Sequence, residues 1–182
     1  TCALYGDTLS AWTTWLLQLL ESEQRYKEDP LGTLAALNAE ALKEVHGPGL
    51  FGLAELSYLA GKRLQSRECY LAAAVYAYLF LLPEDPALAP SAYDRHFRWA
   101  CDIYNRSLTQ AFRDPKKSLL RLEPGRRELP AGALQVEVDT SDFPFPTEGL
   151  ERLPTDELNV IGLSIRVRDS GLGVPLIAVA RL

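Results

Sequence analysis

"CYLAAAVYAYLFLLPEDP", residues Cys69–Pro86, carries no charge before Glu84. Its reading decides the fold, because a membrane span, a buried core helix and the lining of a cofactor pocket each impose a different architecture. From Leu71 to Leu82 the run is apolar on every side, with Tyr76 and Tyr78 as its polar handles. A helix of about 12 residues rises about 18 Å. The hydrocarbon layer of a membrane is about 30 Å thick and needs roughly 20 residues to cross. The run is too short to span. A helix of this length that is apolar all round belongs at the centre of a bundle. Its small residues Ala72, Ala73, Ala74 and Ala77 let neighbouring helices approach closely.

The flanking segments supply those neighbours. "LFGLAELSYLAGKRL" (50–64) puts Phe51, Ala54 and Tyr58 in register, with Gly61 where a left-handed helix cap is expected. "EDPLGTLAALNAEALKEVHGPG" (28–49) is well punctuated: Asp29 is a good N-cap, Pro30 suits the first helical position, and Gly47-Pro48-Gly49 closes the helix. Its expected apolar face is Leu31, Leu34, Ala35, Ala41, Leu42 and Val45. "TLSAWTTWLLQLLES" (8–22) sets Trp12, Trp15, Leu16, Leu19 and Leu20 on one stripe at helical spacing. On the other side, Pro90-Ser91 opens a fifth helix, with Asp94 three residues after Ser91 as in a capping box. Phe97, Cys101, Tyr104, Leu108 and Phe112 recur along it, and Asp94–Arg98 and Asp102–Arg106 stand four apart with opposite charge.

The pattern then changes period. "ALQVEVDT" (133–140) alternates Leu134, Val136 and Val138 with Gln135, Glu137 and Asp139, a half-buried strand. "TSDFPFPTEG" is a turn-rich loop whose prolines forbid a continuous ladder. "NVIGLSIRVRDSG" alternates again, with Ile161, Leu163, Ile165 and Val167 opposite Ser164, Arg166 and Arg168. "GLGVPLIAVARL" adds a glycine turn and a last strand. The expected fold is mainly α: a bundle of about five helices over residues 1–113, a linker loop over 114–132, and a small, incomplete β segment over 133–182. At its centre, Phe51, Ala54, Tyr58 and Gly61, then Tyr70, Ala73, Ala77 and Pro83, resemble the order of large and small residues in a tetratricopeptide unit. The turn between the two helices reads as longer than that repeat allows, and no second copy at the period of about 34 residues is visible.

An apolar content of 47% with 24% charged residues describes a folded domain rather than a disordered chain. The net charge of −5 gives no electrostatic reason to expect a nucleic-acid partner. The nearest thing to a basic cluster, "DPKKSLLRLEPGRRE" (114–128), reads as a solvated loop. Met is absent, residue 1 is Thr, and the chain stops inside the apolar run "PLIAVARL". It therefore reads as an internal fragment whose last strands pair with something downstream.

The residues offer little chemistry. Cys2, Cys69 and Cys101 are too scattered for a disulfide framework or a zinc site and read as buried thiols. His46 lies in the last turn of a helix, where the dipole favours an imidazole. His96, in "YDRHFRW", stands beside Asp94, but Cys101 falls on another side of that helix. Gly-x-Ser-x-Gly is absent, since "DSGLG" around Ser170 has glycine on one side only. "GLG" (171–173) lacks the third glycine and the following helix of a phosphate cradle. The tyrosines Tyr58, Tyr70, Tyr76, Tyr78 and Tyr104 pack their rings inside and lead their hydroxyls to partners, or else line a groove. No catalytic, cofactor-binding or metal-binding residue is assigned.

Three strings, in order, carry a likeness: "LFGLAELSYLAGKRL…CYLAAAVYAYLFLL", "RWACDIYNRSLTQAF" and "GLSIRVRDSGLGVPLIAVA". Together they resemble the region upstream of the catalytic domain in large bacterial α/β-hydrolases of the esterase or lipase type, cell-envelope proteins that are often lipoproteins. The resemblance covers about residues 28–181. It implies a Ser–His–Asp triad and an oxyanion hole on a downstream domain, which would be this chain's partner; none of those motifs has a matching position here. Two expectations follow. Either the chain is the non-catalytic N-terminal portion of such a hydrolase, bracing or covering its catalytic domain, or it is a free-standing tetratricopeptide-like module that binds a peptide or protein.

Overall fold

The computed structural model describes residues 2–41, 48–115, 119–142, 149–154 and 171–179. Among them are six α-helices: α1 (Ala11–Leu19), α2 (Glu23–Glu28), α3 (Pro30–Ala41), α4 (Pro48–Leu64), α5 (Arg67–Leu81) and α6 (Arg95–Phe112). Four short strands follow, β1 (Gly125–Leu129), β2 (Gly132–Val136), β3 (Glu151–Pro154) and β4 (Leu176–Val179). They form two separate antiparallel pairs, β1 with β2 and β3 with β4.

The uncharged run is the middle of the bundle, as its composition requires. α5 packs most extensively against α4 on one side and α6 on the other. It buries Cys69, Leu71, Ala72, Ala73, Ala74, Tyr76, Ala77, Phe80 and Leu81. Tyr78, Leu79 and Leu82 remain exposed along one edge, so the helix is not dry on every side. α4 and α5 run antiparallel, since Tyr58 meets Tyr70 while Phe51 meets Phe80. α4 contributes Phe51, Leu53, Leu56 and Leu59, all nearly wholly buried. Each such side chain is worth about 1.5–3 kcal/mol relative to leaving it in water. No helix among the described residues is long and apolar enough to cross a membrane.

Gly61 does not cap α4. The helix continues to Leu64, and Gln65, at φ +53°, takes the left-handed position instead. Gly61 serves packing: a Cβ there would stand 3.0 Å from two carbons of the Tyr70 ring. The turn is consequently only Gln65–Ser66, shorter than the sequence suggested, and Ser66 Oγ caps α5 by accepting from the Cys69 amide at 3.2 Å.

The rotation of α1 differs from its hydrophobic stripe. Thr13 and Leu17 are buried, while Trp15 is 48% and Leu19 61% exposed. The cause is polar: Ser10 and Thr13 are drawn inward by a buried carboxylate described below, and this outweighs the outward turn of Trp15 and Leu19. Leu16 keeps an inward contact, since a Cβ on Gly52 of α4 would meet its Cδ2 at 2.5 Å. α2 is a helix the pattern did not reveal. It buries Tyr26, whose hydroxyl donates to the Leu56 carbonyl at 2.6 Å.

α3 begins as its punctuation predicts. Asp29 Oδ1 accepts from the Gly32 amide at 2.9 Å, and Pro30 is the first helical residue. Leu34 and Leu37 face the core, whereas Leu31 is exposed. Leu42, Val45, His46 and Gly47 lie outside the described residues, and Pro48 opens α4 rather than closing α3.

In α6 the N-cap is Asp94 itself, not Ser91. Its carboxylate accepts from the His96 amide at 2.9 Å, while Ser91 belongs to the preceding turn. The deepest face is Ala100, Cys101, Ile103 and Ser107; Phe97 and Tyr104 are flanking, partly buried contacts. The two expected i,i+4 ion pairs are not what these charges do. Asp102 accepts from the Tyr5 hydroxyl, and Arg106 donates to the Leu4 carbonyl.

β1 lies inside the segment read as a linker. Its Arg-Arg-Glu sequence hid it, yet Gly125–Leu129 pairs with Gly132–Val136 around the turn Pro130–Ala131. Leu134, Val136 and Val138 are half-buried and Gln135, Glu137 and Asp139 exposed, as the alternation predicted. β1 packs on α5, and Leu129 joins the edge of the core. The expected strand around Ile161–Val167 lies outside the described residues.

Candidate functional site

The most unusual side chain in the bundle is Glu55, in the middle of "AELSYLA" on α4 and 0% exposed. A carboxylate accepts only, and burying one without donors is costly. Here the donors come from the chain's first residues. Oε1 accepts from the amides of Ala3 (2.9 Å) and Ser10 (3.0 Å), and Oε2 lies 2.6 Å from Ser10 Oγ and 2.5 Å from Thr13 Oγ1. Ser10 Oγ also accepts from the Thr13 amide, so the same hydroxyl caps α1. Glu55 thus fixes the path of the N-terminal segment and the rotation of α1 together. Sequence reasoning missed it. Its available signal was a lone charge between Leu50 and Ala60, a stretch otherwise apolar apart from hydroxyls.

His96 and Asp94 come together, with Nδ1 2.8 Å from Oδ1. The amide and ring of His96 hold the Asp94 carboxyl below its usual range, the amide having the larger effect. The imidazole sits edge-on to Phe51 (4.9 Å between centroids), Trp99 (5.5 Å) and Trp12 (6.3 Å). This arrangement orients an imidazole, which is half of what nucleophile activation requires. Among the described residues no serine, threonine or cysteine hydrogen-bonds to it. Its ring closes the aromatic cluster where α1, α4 and α6 meet.

The three cysteines are free and buried. Burial, and next the Glu55 charge, pushes the Cys2 thiol up to about 12. Burial likewise raises Cys69 and Cys101. A thiol held in its protonated form is a poor nucleophile and a poor metal ligand. Among the described residues no group of three His, Cys, Asp or Glu side chains could hold a metal ion. Ser57 and Ser107 are wholly buried, their hydroxyls without a partner among the described residues.

The tyrosines separate into pairs rather than lining one groove. Tyr58 and Tyr70 meet edge-to-face between α4 and α5, whereas Tyr78 and Tyr104 meet at the α5–α6 edge. Tyr76 leads its hydroxyl to Asn38 Oδ1 at 2.9 Å. Burial pushes Tyr70 and Tyr76 up to about 12. The charged loop is self-paired: Arg121 with Asp114 (2.6 Å) and Arg126 with Glu128 (2.7 Å).

The glycine turn before β4 has a specific partner. Asn105 of α6 donates from Nδ2 to the Gly171 carbonyl (3.0 Å) and accepts at Oδ1 from the Gly173 amide (2.8 Å). Gly173 adopts φ +115°, a conformation that favours glycine. A second tether joins the Leu120 amide to the Arg152 carbonyl at 2.8 Å. So the last hairpin is hung from α6 and the segment after it, with Leu176, Ile177 and Val179 exposed on β4. Comparison with known protein families, with curated proteins and with solved structures returned no match.

Proposed function

We propose that this chain is the helical N-terminal portion of a serine α/β-hydrolase of the esterase or lipase type, located in a bacterial cell envelope. It braces a catalytic domain that follows in the same polypeptide. The observation that carries the reading is the attachment of β4. Asn105, from the string "DIYNR", grips the turn Gly171–Gly173 and holds an apolar strand outward from the helical bundle. An exposed apolar strand is a surface that proteins ordinarily cover, and a following sheet would cover it. The coding sequence beyond Leu182 tests this directly. A Gly-x-Ser-x-Gly elbow within the next few hundred codons, and ester hydrolysis by the whole polypeptide that falls when Asn105 is changed to Ala, are the expected results. A stop codon after Leu182 would overturn the reading.

One observation favours a second reading, a tetratricopeptide-like interaction module: the two-residue turn Gln65–Ser66, which joins α4 and α5 as tightly as a repeat of that kind requires. Under that reading the 171–179 segment is protected in hydrogen exchange in the isolated chain; rapid exchange there speaks for the hydrolase portion instead.

A further inference from the structure

The polarity of α1 is reversed. A helix on the surface of a domain ordinarily turns its apolar stripe inward and its charges outward. Here the hydroxyls of Ser10 and Thr13 are inward on the Glu55 carboxylate, while Trp15, Leu19 and Leu20 are outward in solvent. The rest of the exposed face is Ala11 and Gln18. From Thr8 to Leu20 there is no charged residue. The rotation is fixed from behind, by the Ser10 amide on Glu55 Oε1 and by Leu17, which is buried in the core.

The outward residues are contiguous. The Trp12 and Trp15 rings lie 5.1 Å apart, and Leu19 stands one turn beyond Trp15, so the three form a ridge along the helix. Trp12 also meets His96, which brings the first turn of α6, with exposed Arg95 and Arg98, beside the ridge. The nearby acids are engaged elsewhere: Asp94 by the amide and ring of His96, and Asp7 by Lys62 at 2.7 Å. Glu21 lies past the far end of the helix.

Size and charge select the occupant. Trp15, Leu19 and Leu20 offer roughly 300 Å² of apolar surface at their exposures. A stable dimer needs about 800 Å² from each partner, so a second copy is poorly served by this face. A bilayer needs no matching surface. Tryptophan and leucine enter the boundary between headgroups and acyl chains, and arginine at the rim meets lipid phosphate. We propose that the outward face of α1, with Arg95 and Arg98 at its rim, docks on a lipid bilayer surface. The proposal does not depend on the hydrolase reading.

The test uses the 182-residue chain and vesicles of two compositions, phosphatidylcholine alone and an equal mixture with phosphatidylglycerol. Cosedimentation with both is expected, tighter for the mixture. Trp15→Gln combined with Leu19→Gln should weaken partitioning at least about 10-fold on both. Helical circular dichroism should be kept, because both side chains already face water. Arg95→Gln combined with Arg98→Gln should weaken binding about 10-fold on the mixture alone. Quenching of tryptophan emission by brominated acyl chains should be largely lost in Trp15→Phe, which still binds. No cosedimentation at millimolar lipid would overturn the proposal. So would binding that survives the Trp15 and Leu19 pair, which would place the contact at the exposed residues of β4 instead. A concentration-dependent dimer dissociated by that same pair would overturn it equally, since a second copy would then cover the face.

Discussion

The helices and the two hairpins reach order by different means. α4, α5 and α6 bury one another: Phe51, Leu56, Ala73, Ala77 and Ile103 belong to one continuous core cluster. The hairpins have almost no interior. A two-stranded ribbon is marginal alone in water, and each of these leans on the bundle at few points, Leu129 for the first, Leu120 and Asn105 for the second. The bundle should therefore unfold as one unit, whereas the hairpins open locally at small cost.

The largest test of that contrast is Glu55→Leu. It leaves the Ala3 and Ser10 amides and two hydroxyls buried without their acceptor, and should cost about 3–4 kcal/mol in urea unfolding. The loss should appear in the single transition of the bundle, since Glu55 ties the first ten residues to α4. Alkali provides a second, global test. The thiol of Cys2, usually near 9.0, and the phenols of Tyr70 and Tyr76, usually near 10.0, all sit near 12 in the folded chain. As pH rises past the unfolded values, the unfolded chain releases protons that the folded one retains, so stability is full below about pH 9 and falls between pH 9 and 12. A thermal melting point unchanged over that interval would contradict the burial of these groups.

Gly61→Ala sharpens the packing side. Helix propensity alone favours alanine by about 1 kcal/mol, but the new methyl meets the Tyr70 ring, itself held by Tyr58. We expect a net loss of about 1 kcal/mol in chemical denaturation, as for other overpacked cores. Gly52→Ala meets only the end of Leu16, which can rotate aside, and should be nearly neutral. Asn105→Ala belongs to the other regime. It should leave the melting point of the bundle almost unmoved while amide exchange at 171–179 accelerates; equal protection in both proteins would show that the turn does not hang from α6. Smallest of all, Ser57→Ala removes a buried hydroxyl without a partner among the described residues and should change stability by no more than about 0.5 kcal/mol.

The sequence was readable where one physical effect dominated. Twelve residues without charge could hardly be anything but the middle of a bundle, and Asp29-Pro30 fixed the start of α3 through local bonding. It misled where a distant group intervened. Trp15 and Leu19 form a good stripe, yet the helix turns them out because Glu55, some 40 residues away in sequence, claims Ser10 and Thr13. Asp94 and Ser91 are both plausible caps, and only the path of the chain chooses between them. β1 was hidden because its charged side chains follow solvent exposure while its backbone follows β2. Of the site, His96 beside Asp94 was legible from spacing two. The hold of Glu55 on the Ala3 and Ser10 amides was not, since periodicity carries no information about what meets across 45 residues or more.

The sealing of all three thiols has a practical consequence. With Cys2, Cys69 and Cys101 enclosed and protonated, the fold should be insensitive to the oxidising strength of its surroundings, and thiol-directed dyes should pass the native chain by. A cysteine introduced in place of Tyr93, which is fully exposed, would then take a spectroscopic label alone. Movements of the β3–β4 pair could be followed from that single reporter without first stripping the natural sulfur from the core.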